Sequence, residues 1–445
     1  MSVSHRSGSE AIIARPDHCI SRKDISPNAL RVLYRLREAG YQAYIVGGAV
    51  RDLLIGGHPK DFDVATNATP EQVRANFRNC RLIGRRFRLA HIMYGSEIIE
   101  VATFRAAGED DTQGDRKTHE EGHLLRDNIY GTLEEDAVRR DFTVNALYYT
   151  VEDFSVRDFV GGYQDVQDRV LKLIGDPETR YREDPVRMLR AIRLSAKLGF
   201  SIHPTAAEPI PQMAPLLASS SSARLFDEIL KIFLAGSAEK SLLQLEQYQL
   251  LDVLFADTAK ALQTNRSGAL RAMLLQAMRN TDQRIAEGKS VAPGFLFACL
   301  LWPAYCRELA VLQNTGCELS VAQQRASDRV TLRQIERIAV PRRFSMPMHE
   351  IWQLQTRFQQ RTRKRVFKLL AHPRFRAAFD FLELRTFGAP ELAEELEFWR
   401  QAQVLSPEKL AEIIPQHSKN TDGESAHQPV KRKRRRSNPK PAQAE

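Results

Sequence analysis

The sequence predicts an α+β protein, with a small mixed-sheet head followed by an all-α neck and body. Between residues 43 and 158, short runs of β-branched and aromatic residues alternate with turns and short helices. Beyond Gly175, nearly every segment repeats its apolar residues at helical spacing. The length of 445 residues exceeds what one hydrophobic core usually serves, so we expect two or three domains.

Five segments are expected along the chain. Residues 1–25 predict a flexible extension, and a helix should open at Ser26-Pro27 and stop at Gly40. The stretch from Ala106 to Asn128 is poor in apolar residues and predicts a long mobile loop. The segments are the extension (1–25), the head (26–172), the neck (173–240), the body (241–415) and a disordered basic tail (416–445).

Hydrophobic periodicity also predicts individual strands and helices within these segments. The strands are Ala43–Val46, Phe62–Ala65, Arg88–Tyr94, Ile98–Phe104 and Phe154–Asp158. The helices include Pro185–Leu198, Ser222–Phe233, Glu239–Leu254, Leu270–Met278 and Met348–Gln359. The strands therefore fall in the head, and the helices in the neck and body.

The composition indicates a polyanionic partner. The formal net charge is +10, and part of it lies in one run of the tail: Lys431, Arg432, Lys433, Arg434, Arg435 and Arg436. No apolar run reaches the length needed to span a bilayer, and the N-terminus lacks a signal-peptide core. Five scattered cysteines predict reduced thiols without structural zinc. We therefore expect a cytoplasmic protein with no integral membrane segment.

The pair Gly47-Gly48, between a predicted strand and a predicted helix, is a candidate phosphate-binding turn. Backbone N–H groups at a helix N-terminus attract anions, and glycine leaves room for a phosphate. The pair alone would indicate an ordinary tight turn, but acidic residues follow it closely. Arg51 and Lys60 are placed to meet phosphate charge, although either could instead form a surface ion pair.

Asp61 and Asp63 flank Phe62, so strand alternation should place both carboxylates on one face and Phe62 in the core. Carboxylates and nucleotide phosphates are the usual ligands of Mg²⁺, with Mn²⁺ as an alternative. Glu100 interrupts an apolar run, as a third metal ligand would. Asp61, Asp63 and Glu100 are therefore the predicted catalytic and metal-binding residues, in a set that suits two-metal phosphoryl transfer.

A second cluster is a candidate for nucleotide binding. Arg139 and Arg140 suit a triphosphate or an RNA backbone, while Asp141 and Asn145 could hold ribose hydroxyls. Taken alone this cluster is a weak signal, because such residues on a helix often form only surface pairs.

Asp184 and Arg187 form a third cluster, three residues apart at a predicted helix start. Asp184 followed by Pro185 also fits an ordinary N-cap. Side by side, the carboxylate and the guanidinium would match the hydrogen-bonding edge of adenine or cytosine, but not that of uracil or guanine. The pair predicts selection of ATP or CTP by side chains, and it does not separate A from C.

Taken in order, these motifs resemble the nucleotidyltransferase class that contains bacterial poly(A) polymerases and tRNA CCA-adding enzymes. They are Gly47-Gly48-x-Val50-Arg51-Asp52, Asp61-x-Asp63, Arg139-Arg140-Asp141-Phe142 with Asn145-Ala146-Leu147, and Glu183-Asp184-x-x-Arg187. The resemblance implies a nucleotidyltransferase fold for the head, a nucleotide pocket in the neck and a body that guides RNA. It also implies Asp61, Asp63 and Glu100 as the metal ligands.

Within this class, the segments Ile20–Ser26 and Leu82–Ile92 are similar to those of the poly(A) polymerases. This likeness implies template-independent addition of AMP from ATP to the 3′ ends of mRNA or small RNA. It also implies a role in polyadenylation and RNA turnover, with RNA-decay proteins as candidate partners. Besides the tail, the candidate RNA-binding residues are Arg342, Arg343 and Lys364, although each could equally belong to a solvated helix face.

Two alternatives remain at this point. A tRNA CCA-adding enzyme would use the same chemistry, but the segment Arg85–Ile92, the basic tail and the large helical half argue against it. A non-catalytic RNA-binding protein on the same scaffold should have lost Asp61, Asp63 or Arg140, and all three are present.

Overall fold

The structure is a computed structural model that describes residues 10–84, 88–106 and 130–414. The predicted mobile loop, apart from Ala106 itself, lies outside the described residues. The predicted basic tail, residues 416–445, also lies outside them.

An eight-stranded sheet forms the head, in the order β1-β8-β7-β2-β3-β6-β5-β4. Neighbouring strands are antiparallel except for the parallel pair β3 and β6, so the predicted mixed sheet is confirmed. Its strands are β1 (Ala11–Ile13), β2 (Ala43–Val46), β3 (Asp63–Thr66), β4 (Cys80–Ile83), β5 (Leu89–Tyr94), β6 (Glu97–Thr103), β7 (Leu147–Tyr149) and β8 (Val156–Asp158). A separate two-stranded sheet pairs β9 (Val170–Leu171) with β10 (Ser201–Ile202).

The expected flexible extension over residues 1–25 is wrong for its described part, residues 10–25. Strand β1 pairs with β8 at the edge of the sheet, in a register that sets Ile12 opposite Arg157. Ile20 and Ile25 are both buried in the core. These apolar residues are too few and too irregularly spaced to form a periodic pattern, but β8 and the core give them partners.

Helices make up nearly all of the chain beyond the sheet, as predicted. The first six are α1 (Pro27–Glu38), α2 (Gly48–Leu54), α3 (Pro70–Asn76), α4 (Leu133–Val138), α5 (Gly162–Gln167) and α6 (Pro177–Glu183). The next eight are α7 (Val186–Leu198), α8 (Pro204–Ala207), α9 (Ile210–Met213), α10 (Ser222–Phe233), α11 (Ala238–Gln247), α12 (Leu250–Leu254), α13 (Ala256–Thr264) and α14 (Ala269–Ala286). The last seven are α15 (Pro293–Asn314), α16 (Leu319–Ile335), α17 (Arg342–Gln355), α18 (Arg363–Leu370), α19 (Phe375–Thr386), α20 (Ala393–Ala402) and α21 (Pro407–Ile413).

Local signals explain the helices that were predicted best. Ser221 caps α10 by accepting from the N–H of Arg224, and the predicted and observed limits of this helix agree. By contrast, the predicted helix Glu239–Leu254 is two helices, because Gln249 adopts a left-handed conformation with φ of 57° between them.

The main hydrophobic core is continuous through head, neck and body, and it covers one face of the large sheet. A second cluster joins residues 354–414 around the fully buried Trp399, whose indole N–H donates to the carbonyl of Phe358 at 2.9 Å. A third, smaller cluster lies on the other face of the sheet and includes Phe104 and Tyr148. That second, open face is less fully covered, and Asp63 of β3 and Glu100 of β6 lie on it.

Helix α15 corrects the expectation that no apolar run could span a membrane. Its 22 residues are long and apolar enough by length and composition, and 67% of the most apolar window is buried inside the protein. Tyr305 of this helix stacks on Trp352 of α17 with ring centroids 4.7 Å apart. The burial accounts for the apolar composition, since α15 is the central helix of the body.

Candidate active site

The Gly47-Gly48 turn connects β2 to α2, as the sequence predicts. Gly47 has φ of 76° and ψ of −136°, a backbone conformation that residues other than glycine rarely adopt. A Cβ atom added at Gly47 would lie 3.5 Å from Nη1 of Arg140. Backbone strain, rather than lack of space, therefore explains the need for glycine at this position.

Arg51 is buried against this turn, whereas the sequence suggested that it faces phosphate. Its Nε and Nη2 donate to Oδ1 of Asp52 at 2.9 and 2.6 Å, and its Nη1 donates to Oδ1 of Asn145 at 2.5 Å. A Cβ atom on Gly48 would lie 3.3 Å from Nη2 of Arg51. Arg51 and Asn145 thus hold each other beneath the turn. Lys60, the other residue predicted to meet phosphate, is exposed in the loop before β3.

Arg140 is held on the opposite side of the turn by two buried side chains. Its Nη2 donates to Oδ2 of Asp136 at 3.0 Å, and its Nε donates to the hydroxyl of Tyr148 at 2.9 Å. The Tyr148 hydroxyl in turn donates to Oδ2 of Asp136 at 2.8 Å. Burial alone would lower the pKa of Arg140, but Tyr148 and Asp136 outweigh it and raise this pKa. Arg140 therefore places a fixed positive charge near Gly47.

The carboxylates of Asp63 and Glu100 are neighbours on the sheet. Asp63 opens β3, and its partner in the parallel register is Glu100 of β6. Phe62 is buried while Asp61 and Asp63 are exposed, as strand alternation predicts. Although the side chain of Asp63 reaches solvent, the protein around it partly desolvates the carboxylate. This desolvation, and then the negative charge of Glu100, raise the pKa of Asp63 to about 6, while Arg140 acts in the opposite direction.

Asp63 and Glu100 do not belong to a complete set of metal ligands among the described residues. Among residues 10–84, 88–106 and 130–414, no three His, Cys, Asp or Glu side chains form a cluster that could hold a metal ion. Glu100 lies instead with its Oε1 atom 3.4 Å from Nε2 of His91. The oxygen donors of Asp63 and Glu100 nevertheless fit Mg²⁺ or Mn²⁺, because carboxylates are ligands that these ions prefer and the two lie side by side in the register of the sheet.

Asp141 joins the head to helix α7 of the neck. Its Oδ1 accepts from Nε of Arg187 at 2.7 Å, and its Oδ2 accepts from Arg190. Burial would raise the pKa of Asp141, but the two arginines outweigh this effect and lower it. The sequence suggested a ribose contact for Asp141, and the structure gives this carboxylate two arginine partners instead.

Asp184 and Arg187 do not form the side-by-side pair that their spacing predicts. Asp184 lies between α6 and α7, where its Oδ1 accepts from the N–H of Val186 at 3.2 Å. Its Oδ2 accepts from Arg224 of α10 at 2.6 Å. Arg187 turns toward Asp141 and also donates to Glu183 at 2.9 Å. The two side chains point apart because Asp184 pairs with Arg224, while Arg187 pairs with Asp141 and Glu183.

Arg180 completes the junction between head and neck. Its Nη2 donates to the backbone carbonyls of Arg139 and Arg140 at 2.9 and 2.8 Å. Its Nη1 donates to Oε2 of Glu183 at 2.8 Å, the atom that also accepts from Arg187. The segment that carries Arg140 is therefore anchored by neck side chains.

Sequence reasoning missed four residues that hold this site: Asp136, Tyr148, Arg190 and Arg224. Asp136 precedes Arg140 by four residues, a helical spacing that could have identified the pair. Arg224 lies 40 residues from Asp184 in sequence, so no local pattern connects them.

The predicted RNA-binding residues within the described chain lie on two helices of the body. Arg342 and Arg343 open α17, and Lys364 is the second residue of α18; all three are exposed. The predicted basic residues of the tail lie outside the described residues.

Three protein families together match most of the chain. The family described as "Poly A polymerase head domain" matches residues 43–172. "Probable RNA and SrmB- binding site of polymerase A" matches residues 199–262, and "Polymerase A arginine-rich C-terminus" matches residues 315–440. A head of this fold, with its glycine turn, acidic strand pair and helical neck, defines a polynucleotide nucleotidyltransferase.

Individual relatives give the narrower family. Poly(A) polymerase I of Salmonella typhi is 52% identical over 402 residues, which cover 89% of this chain and 86% of that protein. This chain belongs to the poly(A) polymerase I family, as the motifs indicated. The CCA-adding enzyme of Geobacillus stearothermophilus is 37% identical over only 215 residues, or 48% of this chain and 51% of that enzyme.

A solved structure confirms the nucleotidyltransferase fold. The crystal structure of the Bacillus stearothermophilus CCA-adding enzyme in complex with CTP has a TM-score of 0.58 and 25% identity. The match covers 85% of this chain and 82% of that one. CCA-adding enzymes are therefore distant relatives that share the fold.

The raised pKa of Asp63 makes a prediction about stability in the absence of metal. The folded state binds more protons than the unfolded state between pH 3.8 and about 6, so the free energy of unfolding falls as the pH rises through this range. Asp63→Asn removes this effect. In EDTA, we expect the variant to melt at a higher temperature than the wild type at about pH 8, and at nearly the same temperature at about pH 4.

Asp227→Asn, an exposed aspartate on α10, is the control and should show no such difference between the two pH values. An Asp63→Asn advantage that is equal at both pH values would contradict the assigned pKa shift.

Proposed function

We propose that this chain adds AMP from ATP to RNA 3′ ends without a template, at the cleft between the Gly47-Gly48 turn, the Asp63–Glu100 pair and the neck. The observation that carries this proposal is the parallel register of Asp63 and Glu100 on the open face of the sheet. The fixed charge of Arg140 beside Gly47 adds a phosphate-binding group to the same cleft.

The reaction joins the oxygen of an RNA 3′-hydroxyl to the α-phosphorus of ATP. The bond from that phosphorus to the oxygen bridging the β-phosphorus breaks, pyrophosphate leaves, and the hydroxyl proton is released. A divalent cation, when bound by Asp61, Asp63 and Glu100, would neutralise these carboxylates and polarise phosphate oxygens. We propose Mg²⁺ in this role, with Mn²⁺ as the alternative.

The chain's own residues position the triphosphate. Hydrogen bonds to Asp136 and Tyr148 fix the guanidinium of Arg140. Its positive charge can therefore meet a phosphate without a change of side-chain conformation. Gly47 presents backbone without a side chain at the start of α2. We propose that Arg139 and Lys60 also contact phosphate, and that Arg51 and Asn145 act by holding the turn in place.

Nucleotide selection is assigned to Asp184 and Arg187 of the neck. Arg187 is fixed by Asp141 and Glu183, so its direction is set before a nucleotide arrives. Asp184 is paired with Arg224, but a carboxylate oxygen has two lone pairs and can still accept from an exocyclic amino group. We propose that this preformed arrangement recognises adenine.

The body contributes RNA binding through Arg342, Arg343 and Lys364. These residues lie in the first turns of α17 and α18, neither of which has an acidic residue in that turn. Cations near a helix N-terminus are unfavourable to the helix by roughly 0.3–1 kcal/mol each. Their position is thus better explained by an anionic partner than by helix stability. We propose that the basic run of the tail serves the same partner.

We also propose the cellular setting that this activity suggests. The RNA partners would be mRNA and small RNA, the site of action would be the cytoplasm, and the outcome would be polyadenylation linked to transcription, mRNA processing and RNA turnover. RNA-decay proteins are candidate partners, and the family matched over residues 199–262 adds SrmB by its description.

Asp61→Ala and Asp63→Ala should each reduce AMP transfer to a labelled RNA by more than about 100-fold, because a metal ligand is lost. RNA affinity, measured by fluorescence anisotropy, should change little, since neither carboxylate attracts phosphate. Full transfer activity in both variants would contradict the metal assignment.

Changing Arg342, Arg343 and Lys364 together to glutamine should weaken binding of single-stranded RNA. The plot of log K against log salt concentration should become shallower by up to about 2, or roughly 0.7 for each phosphate contact that is lost. Anisotropy titrations at several salt concentrations measure both quantities.

The matched control changes three exposed arginines that already pair with carboxylates: Arg374 with Glu350, Arg376 with Asp380 and Arg400 with Glu383. Equal losses in the two triple variants would mean that binding depends on net charge alone and not on the two helix starts.

A further inference from the structure

A row of charged and titratable residues crosses the open face of the sheet beside the proposed metal site. The register pairs Arg81 of β4 with His91 of β5, His91 with Glu100 of β6, and Glu100 with Asp63 of β3. Partners in register point to the same side of a sheet. The four side chains therefore form one continuous row that ends at Asp63.

His91 has one unusual atom in this row. Its Nε2 is buried and forms no hydrogen bond with any residue of the described chain. The carboxylate oxygen Oε1 of Glu100 lies 3.4 Å away, within ion-pair range but not aligned for a hydrogen bond. Buried polar atoms are nearly always hydrogen-bonded, so an unpaired nitrogen facing a carboxylate calls for an explanation.

The two side chains differ in how freely they move. The His91 side chain is 21% exposed, whereas that of Glu100 is 47% exposed. Glutamate also has one more rotatable bond than histidine. Of the two, Glu100 is therefore the group that is positioned, and His91 is the fixed partner.

We propose that His91 is a positioning residue for Glu100: its Nε2–H donates to Oε1 of Glu100 and directs the second carboxylate oxygen toward Asp63. This inference rests on the proposed function, because it takes Glu100 to be a metal ligand. Carboxylates that bind metals are commonly hydrogen-bonded themselves, and this support fixes their orientation. Hydrogen bonds of this kind are often long before ligands bind and shorten afterwards.

A purely structural role for His91 is disfavoured by its position. The neighbouring residues Ala90 and Ile92 point into the main core and are fully buried, while His91 points to the opposite face. A substitution at His91 should therefore leave the main core filled. Met93, two residues along the same strand, shares the face of His91 but is paired with Ile98 rather than with an acidic residue.

The test measures Mn²⁺ binding to the full chain without nucleotide, by electron paramagnetic resonance. His91→Ala should weaken binding by about 10-fold or more, the usual effect of removing a group that supports a metal ligand. His91→Gln should restore most of the affinity, because its amide nitrogen can take the place of Nε2. Met93→Ala is the matched control and should bind Mn²⁺ like the wild type.

A second readout separates positioning from general damage. In AMP transfer, His91→Ala should need about 10-fold more metal for half-maximal rate while KM for ATP at saturating metal stays unchanged. Unchanged Mn²⁺ affinity in His91→Ala, or equal losses in His91→Ala and His91→Gln, would overturn the proposal. If Asp63→Asn also leaves Mn²⁺ affinity unchanged, the metal site of the proposed function is at fault instead.

Discussion

Asp141 of the head forms ion pairs with two arginines of helix α7 in the neck. This contact holds together the two sides of the proposed cleft. Arg187 and Arg190 lie three residues apart, so both reach the same carboxylate from one face of the helix. Because the three side chains are half-buried, removing the Asp141 carboxylate would leave Arg187 with Glu183 alone among the described carboxylates and Arg190 with Asp184 at 4.0 Å. The orientation of the neck relative to the sheet is therefore held by a contact that is costly to break.

The same junction fixes the groups that we propose to face the triphosphate. Arg180 of the neck binds the carbonyls of Arg139 and Arg140, and Arg140 in turn lies against the Gly47 turn. The nucleotide selection that we propose for the neck and the phosphate binding that we propose for the head thus depend on one connected set of hydrogen bonds. An arrangement formed before the nucleotide binds suits an enzyme that must choose its nucleotide without a template.

The sequence predicted the parts of this site that depend on neighbours in the chain. Strand alternation correctly buried Phe62 and exposed Asp61 and Asp63, and the glycine turn was placed between strand and helix as observed. Contacts between distant residues left no such pattern: Arg224 pairs with Asp184 across 40 residues, and β1 pairs with a strand near the end of the head. The buried state of Arg51 was missed because its partner Asn145 is 94 residues away.

We expect this cleft to extend generic RNA with ATP alone. The most direct measurement is a gel assay with Mg²⁺, a labelled generic RNA, a tRNA lacking its CCA end, and each nucleoside triphosphate supplied separately. We expect a long ladder on the generic RNA with ATP and little extension with CTP, GTP or UTP. Short additions confined to the tRNA and dependent on CTP would contradict it, as would the absence of extension on both RNAs.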